Sequence, residues 1–358
     1  MATLLKLLLV LLTVALREVQ AQQPPIFDLK AFREHVELLA RAEKGDAAAQ
    51  TKLGSMYASG MGVPKDAGQA VKWLRLAADQ GVAAAQAGLG YMYTNGEALP
   101  KDGAIAAKWY RLAAEQGHAV AQYLLGQMHL DGESVPKDSA MAVKWYRLSA
   151  EQGYSSAQLS LGHMYDFGIG IPKDAGRAVK WYLLAAEQGL ALAQFYLGNL
   201  YSEGEGVPKN ATVGVKWLRL AAEQGLTSAQ HNLADKYHKG EGVPKDAVEA
   251  VKWYRLAAEK GLPDSQCNLG AMYFAGDGVP KDNIEAVKWY RLAAEQGNAM
   301  GQYNLGRSYD NGDGVQKDAI EAVKWYRLAA ERGLALAQSN LGAMYSSGEG
   351  VLRDLVLA

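Results

Sequence analysis

The sequence has a single cysteine, Cys267, among its 358 residues. One thiol cannot form a disulfide within the chain, so a disulfide framework and a cysteine-rich zinc site are both excluded. An excess of either charge is also missing, because 37 basic residues balance 38 acidic ones. Proteins that bind nucleic acid or anionic membranes carry a basic footprint, and we therefore expect neither of these partners.

Apolar runs long enough to cross a bilayer are missing as well. The longest, residues 7–16, has ten residues, whereas a spanning helix needs about 20. Lys6 precedes this run, and a Val-Gln-Ala sequence of the small-x-small type ends at Ala21. This order is typical of an export signal. We predict a signal peptide at residues 1–21, a linker at 22–27, and a periplasmic or secreted mature protein with no stable membrane insertion.

Tryptophan occurs only eight times, and each occurrence lies 36 residues from the next. The eight are Trp73, Trp109, Trp145, Trp181, Trp217, Trp253, Trp289 and Trp325. A fixed period of this length indicates a repeat solenoid rather than a single globular core. We predict an all-α solenoid of about eight and a half helix-turn-helix repeats.

The first helix of each repeat, which we name helix A, carries one constant face. In the first repeat this face is Gln50, Leu53, Gly54 and Tyr57, at the i, i+3, i+4, i+7 spacing of an α-helix. Glycine or alanine recurs at the Gly54 position although glycine costs about 1 kcal/mol in a helix. We expect this small residue to let the tryptophan of a neighbouring helix approach the backbone.

The second helix, helix B, carries the tryptophan. It begins after an Asp or Asn suited to the N-cap, such as Asp66, and ends at a glycine suited to the left-handed conformation, such as Gly81. Lys72 and Arg75 lie opposite Trp73 and are expected to form a solvated ridge. Because one helix pair cannot bury its tryptophan alone, we expect the repeats to stack.

The ends of the chain depart from the period. Residues 28–46 resemble a lone helix B, with Glu37 in place of tryptophan, and we predict a capping helix there. Eight complete repeats follow at residues 47–334, and an incomplete ninth occupies 335–358. Helix A of the ninth repeat lacks its helix B, so we expect a frayed or self-associating C-terminus.

The repeat, Ala-x-x-x-Leu-Gly-x-x-Tyr-x-x-Gly-x-Gly-Val-x-x-Asp-x-x-x-Ala-x-x-Trp-x-x-x-Ala-Ala-x-x-Gly, resembles the Sel1-like repeat. That family is related to tetratricopeptide repeats. The sixth repeat shows the motif at Tyr237, Gly240, Asp246, Trp253 and Gly261. The resemblance covers roughly residues 31–354. It implies a right-handed α/α superhelix that acts as an adaptor for other proteins, without enzymatic activity.

Binding is expected where the repeats differ, because the packing positions repeat. The variable positions of helix A lie opposite its constant face, and in tetratricopeptide-like stacks helix A lines the concave side. We name these positions the helix-A stripe and predict that the protein is an exported scaffold that binds a protein or peptide there. Neutral variation on a solvated face is the alternative. The predicted partner-binding residues are Tyr91, Tyr123, Gln127, Leu159, His163, Phe195, Asn199, His231, Asp235, His238, Phe274, Tyr303 and Arg307.

Two groups in the stripe could carry chemistry. His231, Asp235 and His238 have i, i+4, i+7 spacing and could ligate zinc, so the alternative function is an enzyme, metal-dependent or acting on cell-wall material. Cys267 has no histidine close in sequence, and we expect a packing thiol. No strong motif implies a cofactor, and we predict none. A structural role through end-to-end assembly remains a third hypothesis.

Overall fold

The computed structural model describes residues 29–357, with side chains from residue 33 onward. These residues form eighteen α-helices and no strand. They fall into two compact units, divided between Lys173 and Asp174. Within the same stretch, no helix combines the length and apolar character that crossing a bilayer requires. The predicted export signal and linker, residues 1–27, lie outside the described residues.

The first unit begins with one helix and continues as alternating helices A and B. These are α1 (Leu29–Glu43), α2 (Ala47–Ser59), α3 (Ala67–Asp79), α4 (Ala83–Asn95), α5 (Gly103–Glu115), α6 (Ala119–Asp131), α7 (Ser139–Glu151) and α8 (Ser155–Phe167). Each helix packs on the next in chain order. Helix α1 contributes Ala42 to the core around Trp73, while its Glu37 is exposed.

The second unit continues the same alternation. It contains α9 (Ala175–Glu187), α10 (Ala191–Glu203), α11 (Ala211–Glu223), α12 (Thr227–Lys239), α13 (Ala247–Glu259), α14 (Pro263–Ala275), α15 (Asn283–Glu295), α16 (Ala299–Asn311), α17 (Ala319–Glu331) and α18 (Ala335–Ser347). Here too each helix packs on its successor. The predicted fold class, an all-α solenoid of helix-turn-helix repeats, is confirmed. The division into cap, full repeats and incomplete ninth repeat stays a prediction.

Both ends of helix B follow the predicted capping chemistry. The Asp66 carboxylate accepts a hydrogen bond of 2.9 Å from the Gln69 backbone N–H, and the equivalent Asp or Asn caps each later helix B that the structure describes. Gly81 has φ 87°, the left-handed conformation that a residue with a Cβ rarely adopts. Each helix B therefore has fixed ends and a fixed length.

The small residue of helix A meets a different aromatic ring from the one expected. A Cβ added at Gly90 would lie 2.8 Å from the ring of Tyr110, and the same holds for Gly126 and Tyr146. The prediction that tryptophan fills this notch is wrong. The tyrosine follows the tryptophan in helix B, and adjacent residues of a helix point about 100° apart. Only one of the two rings can face helix A of its own repeat.

The tryptophans instead join consecutive repeats. Trp109 packs on the core that contains Leu74 and Leu89, and Trp145 lies in the core around Tyr110. All eight tryptophans lie in the described residues, and each is buried or half-buried. Stacking through the indole rings is thus confirmed, although they pack on the preceding repeat rather than in the glycine notch.

The predicted solvated ridge of helix B takes part in stacking as well. The exposed Arg75 guanidinium donates a 2.7 Å hydrogen bond to the Tyr93 hydroxyl on helix A of the next repeat. Arg291 makes the same contact with Tyr309 at 2.8 Å. The ridge is solvated, as expected, but the arginines of six repeats also tie a repeat to its successor.

A chain of glutamines connects the repeats at the opposite end of helix B. The helix-A glutamine donates to a carbonyl of the preceding helix B, as Gln122 does to Ala114 O at 3.0 Å. The glutamine that follows helix B then donates to the Oε1 of that helix-A glutamine. Such pairs include Gln80–Gln50, Gln116–Gln86 and Gln152–Gln122 at 2.7 Å, and Gln224–Gln194 and Gln296–Gln266 at 2.8 Å. We name this set the glutamine relay.

The glutamine relay is interrupted twice in the second unit. Lys260 and Arg332 stand where the donor glutamine would be. The Oε1 atoms of Gln230 and Gln302 are consequently buried without a hydrogen-bond partner among the described residues. A buried acceptor that has lost its water and gained no donor destabilises the folded state.

Restoring the missing donor should therefore stabilise the protein. We expect Lys260→Gln to raise the free energy of unfolding by about 1 kcal/mol, because one buried hydrogen bond is gained. Lys260→Met is the control, since it also removes the Lys260 contact with Gly225 O but supplies no donor. Chemical denaturation measures both variants. Equal stability of the two would show that the glutamine relay contributes nothing.

The N-cap of α6 should make stability depend on pH. His118 Nδ1 accepts a 3.2 Å hydrogen bond from the Ala121 N–H, and burial lowers the pKa of the imidazole from 6.5. The folded state thus holds the neutral ring, whereas the unfolded chain takes up a proton below pH 6.5. The cap's contribution is present above this pH and is lost as pH falls.

Asn298 occupies the same position before α16 and accepts from the Gly301 N–H at 2.7 Å. His118→Asn therefore keeps a cap that does not titrate. Between about pH 8 and about pH 5, wild type should lose about 1 kcal/mol more stability than this variant. The pKa values of His35 and His163 are also lowered by burial, but they are common to both proteins. Parallel pH profiles would contradict the prediction.

Candidate functional site

The helix-A stripe lies where helices A of consecutive repeats meet. In the second unit, the Asn232 side chain donates to Asn199 Oδ1 at 3.0 Å, one repeat earlier. Asn304 likewise donates to the sulfur of Cys267 at 3.6 Å. In the second unit, side chains on neighbouring helices A thus contact each other across the groove that separates these helices.

The predicted binding residues are less exposed than a solvated face would be. Tyr91 is 53% exposed and Gln127 is exposed. The other eleven are half-buried, namely Tyr123, Leu159, His163, Phe195, Asn199, His231, Asp235, His238, Phe274, Tyr303 and Arg307. Half-burial gives such side chains both a fixed position and a surface that a partner can reach.

Three aromatic residues of the stripe also pack within the fold. The ring of Tyr123 lies 5.7 Å from that of Tyr146, and the ring of Tyr303 lies 5.8 Å from that of Tyr326. Phe195 packs against Tyr196, at 5.5 Å between ring centroids. The alternative that these residues serve packing therefore has contacts to support it, and their role in binding stays a prediction.

The floor of the groove is the helix-B tyrosine, which the sequence did not single out as a site residue. The Tyr110 and Thr94 hydroxyls are 3.2 Å apart, and the Tyr326 hydroxyl donates to Asp310 at 3.3 Å. Tyr254 donates to Asp235 in the same way. Burial raises the pKa of these phenols. Each tyrosine thus presents a neutral hydroxyl to a stripe residue that differs between repeats.

A cleft of about 420 Å³ opens between α12 and α14 in the second unit. Its walls combine apolar and charged groups, and its polar lining consists of Asp235, His238, Lys239, Tyr254, Asn268 and Asp277. Lys239 Nζ lies 3.3 Å from Asp235 Oδ2, and His238 Nε2 lies 3.3 Å from Asp277 Oδ2. Two of the predicted residues therefore meet in one cleft, with Asp277 added from the loop after α14.

The three residues proposed as a zinc site do not converge on one point. His231 Nδ1 lies 2.8 Å from the Ser265 hydroxyl, and its Nε2 lies 4.0 Å from Asp235 Oδ1. His238 is paired with Asp277 instead. Among the described residues, no group of three or more His, Cys, Asp or Glu side chains is placed to hold a metal ion.

A second feature of the stripe lies one repeat further along. The Phe274 ring has the Arg307 guanidinium 4.7 Å and the Lys281 ammonium 5.4 Å from its centre. Contacts of this kind are attractive because the ring face carries negative charge. The stripe of the second unit thus offers acidic groups beside the α12–α14 cleft and cationic groups around Phe274.

Comparisons with known proteins agree with the repeat pattern. The family profile of the Sel1 repeat matches nine consecutive segments, residues 47–82, 83–118, 119–154, 155–190, 191–226, 227–262, 263–298, 299–334 and 335–358. A comparison with curated proteins finds no match.

Two solved structures are similar over most of the chain. One is a protective antigen of uropathogenic Escherichia coli that displays an SLR fold. It is 40% identical, with 90% of this chain and 69% of that chain covered and a TM-score of 0.84. The other is a Sel1 repeat protein from Oxalobacter formigenes, 32% identical, with 90% and 97% covered and a TM-score of 0.65.

The geometry around Cys267 predicts a thiol that reacts slowly. The residue is 4% exposed, and burial raises its pKa to about 11. At about pH 8 the thiolate fraction is then about a hundredfold lower than for a thiol with the ordinary value of 9.0. A thiol reagent should therefore label the native protein at least about a hundredfold more slowly than the denatured protein. Cys267→Ser is the blank, and equal rates would contradict the prediction.

Proposed function

The chain belongs to the Sel1 repeat family, and on that premise we propose that it is an exported scaffold that binds a protein or peptide through its helix-A stripe. Sel1 repeat proteins generally act as protein-interaction scaffolds, and the family is generally non-catalytic. The observation that carries the finer proposal is the groove between helices A. Its tyrosine floor is built from packing residues that recur, while its walls change from repeat to repeat.

The groove has the chemistry of a recognition surface. Residues that contribute to binding cluster where side chains are well packed and partly desolvated. The cleft between α12 and α14 provides such a place, with Met272 and Ala271 beside the charged pairs of Asp235 and Asp277. Its mixed lining fits a polypeptide segment that carries both apolar and charged side chains.

Two further parts of the proposal have narrower support. Export is proposed because Lys6 precedes the apolar run at residues 7–16 and a Val-Gln-Ala sequence ends at Ala21.

Self-association is proposed for the region of α18, where Leu336, Leu355 and Val356 are exposed. Exposed apolar side chains in one region favour contact with a second copy.

Site-directed photocrosslinking tests the location of binding. A photoreactive residue replaces Ala271, which is exposed and lines the cleft, or Lys252, which is exposed on the outer ridge of α13. We expect partner peptides to be crosslinked from position 271 and not from position 252. Equal labelling from both positions, or labelling from 252 alone, would contradict binding through the helix-A stripe.

Phe274→Ala tests the energetics with the partner so identified. Removing the ring also removes the attraction for Arg307 and Lys281. The affinity should fall about tenfold or more, as for a residue at the centre of an interface. Lys288→Ala, on the outer ridge of α15, is the matched surface control and should leave the affinity unchanged. Binding is measured by calorimetry, with circular dichroism to show that both variants are folded.

A further inference from the structure

One interruption of the glutamine relay leaves a buried acceptor beside an open cleft. Gln302 is 3% exposed, and its Nε2 donates to Ala294 O at 3.2 Å. Its Oε1 has no hydrogen-bond partner among the described residues. Arg332 occupies the place of the glutamine that would otherwise supply the donor.

Gln302 and Arg332 both line this cleft. The cleft has a volume of about 470 Å³ and lies where helix B ends and helix A begins, away from the helix-A stripe. Trp325 and Leu328 form its apolar side, while Gln302, Arg332 and Gln296 contribute polar groups. The indole of Trp325 is held by a 3.0 Å hydrogen bond from its Nε1 to Glu321. Gln302, the cationic Arg332 and the fixed indole of Trp325 therefore line one opening.

The chain itself shows which chemical group fits the acceptor. In five repeats a carboxamide nitrogen lies 2.7 to 2.8 Å from the equivalent Oε1, as Gln296 Nε2 does from Gln266 Oε1. At Gln302 this carboxamide is missing, because residue 332 is an arginine. An amide supplied from outside could occupy its place.

Arg332 suits the other half of the same group. A guanidinium has only hydrogen-bond donors, and an amide carbonyl is an acceptor. A carboxylate could accept from Arg332, but it has no N–H to donate to Gln302. At Gln302 the pair thus favours an amide over an acid of the same shape, because a carboxylate oxygen would place a second acceptor against the Oε1.

We propose that the cleft at Gln302 and Arg332 binds an amide group of a polypeptide, with the amide N–H donated to Gln302 Oε1 and the amide carbonyl accepting from Arg332. The amide is either the side-chain carboxamide of Asn or Gln or a backbone peptide bond. This site does not depend on binding at the helix-A stripe.

Nuclear magnetic resonance tests the site in the full chain. The Lys260→Gln background is used because it is expected to satisfy Gln230, the other unpartnered acceptor of the glutamine relay. The probes are three blocked amino acids, N-acetylglutamine methylamide, N-acetylglutamate methylamide and N-acetylleucine methylamide. The readout is the Trp325 indole N–H resonance, which Trp325→Phe identifies.

We expect a saturable shift of this resonance with the blocked glutamine, at millimolar concentrations because the group is small. Adding Arg332→Gln should weaken binding by at least about tenfold, since the chain then supplies its own amide. The same substitution should raise the midpoint of thermal unfolding. If a side-chain carboxamide is the ligand, blocked glutamate should bind more weakly than blocked glutamine.

The three probes distinguish a side-chain carboxamide from a backbone peptide bond. A shift with glutamine alone assigns a side-chain carboxamide, and equal shifts with glutamine and leucine assign a backbone peptide bond. The proposal is overturned if neither probe gives a saturable shift, if binding survives Arg332→Gln, or if glutamate binds as well as glutamine while leucine does not bind. The last result would indicate an ion pair with Arg332 only.

Discussion

The fold depends on the contact between a helix-B tyrosine or leucine and a small residue of helix A in the same repeat. A Cβ at Gly90, Gly126 or Gly270 would lie within 3.0 Å of the facing tyrosine ring. Glycine or alanine therefore recurs there although glycine lowers helix stability. The ring fixes the distance between the helices of a repeat, and this leaves the neighbouring tryptophan to pack on the preceding repeat. The repeats therefore stack in chain order, because one side chain of helix B faces helix A of its own repeat and the adjacent tryptophan faces the preceding repeat.

Packing of this kind restricts where sequence can change. The Gln, Leu and small residue of helix A, and the Ala, Trp and Tyr of helix B, are all used in contacts within or between repeats. The groove between helices A is left to vary, and its walls stand on a floor that recurs. Thr94, Asp235 and Asp310 illustrate the consequence, since equivalent tyrosine hydroxyls meet a hydroxyl in one repeat and a carboxylate in two others. Function can therefore differ between repeats without a change of fold.

The sequence predicted the period, the helix-A and helix-B faces, the N-caps and the glycine C-caps, because these depend on local spacing and on backbone conformation. It did not predict which aromatic ring faces Gly90, since Trp109 and Tyr110 are adjacent and both are large. Nor did it predict that His238 pairs with Asp277 rather than with His231 and Asp235. That contact joins a helix to a loop of the next repeat, and helical spacing within α12 carries no information about it.

Exceptions within the glutamine relay illustrate how a repeat protein can acquire a local property. In a protein without repeats, a substitution removes a contact and no equivalent position in the same chain shows what that contact was. Here the intact pairs, such as Gln296–Gln266, show what the pair at Gln302 would be. Because each repeat is held mainly by its neighbours, the stack tolerates an unsatisfied acceptor at a single repeat. A cost in stability at one repeat can then persist where the exposed chemistry, such as Arg332 beside Trp325, has a use in recognition.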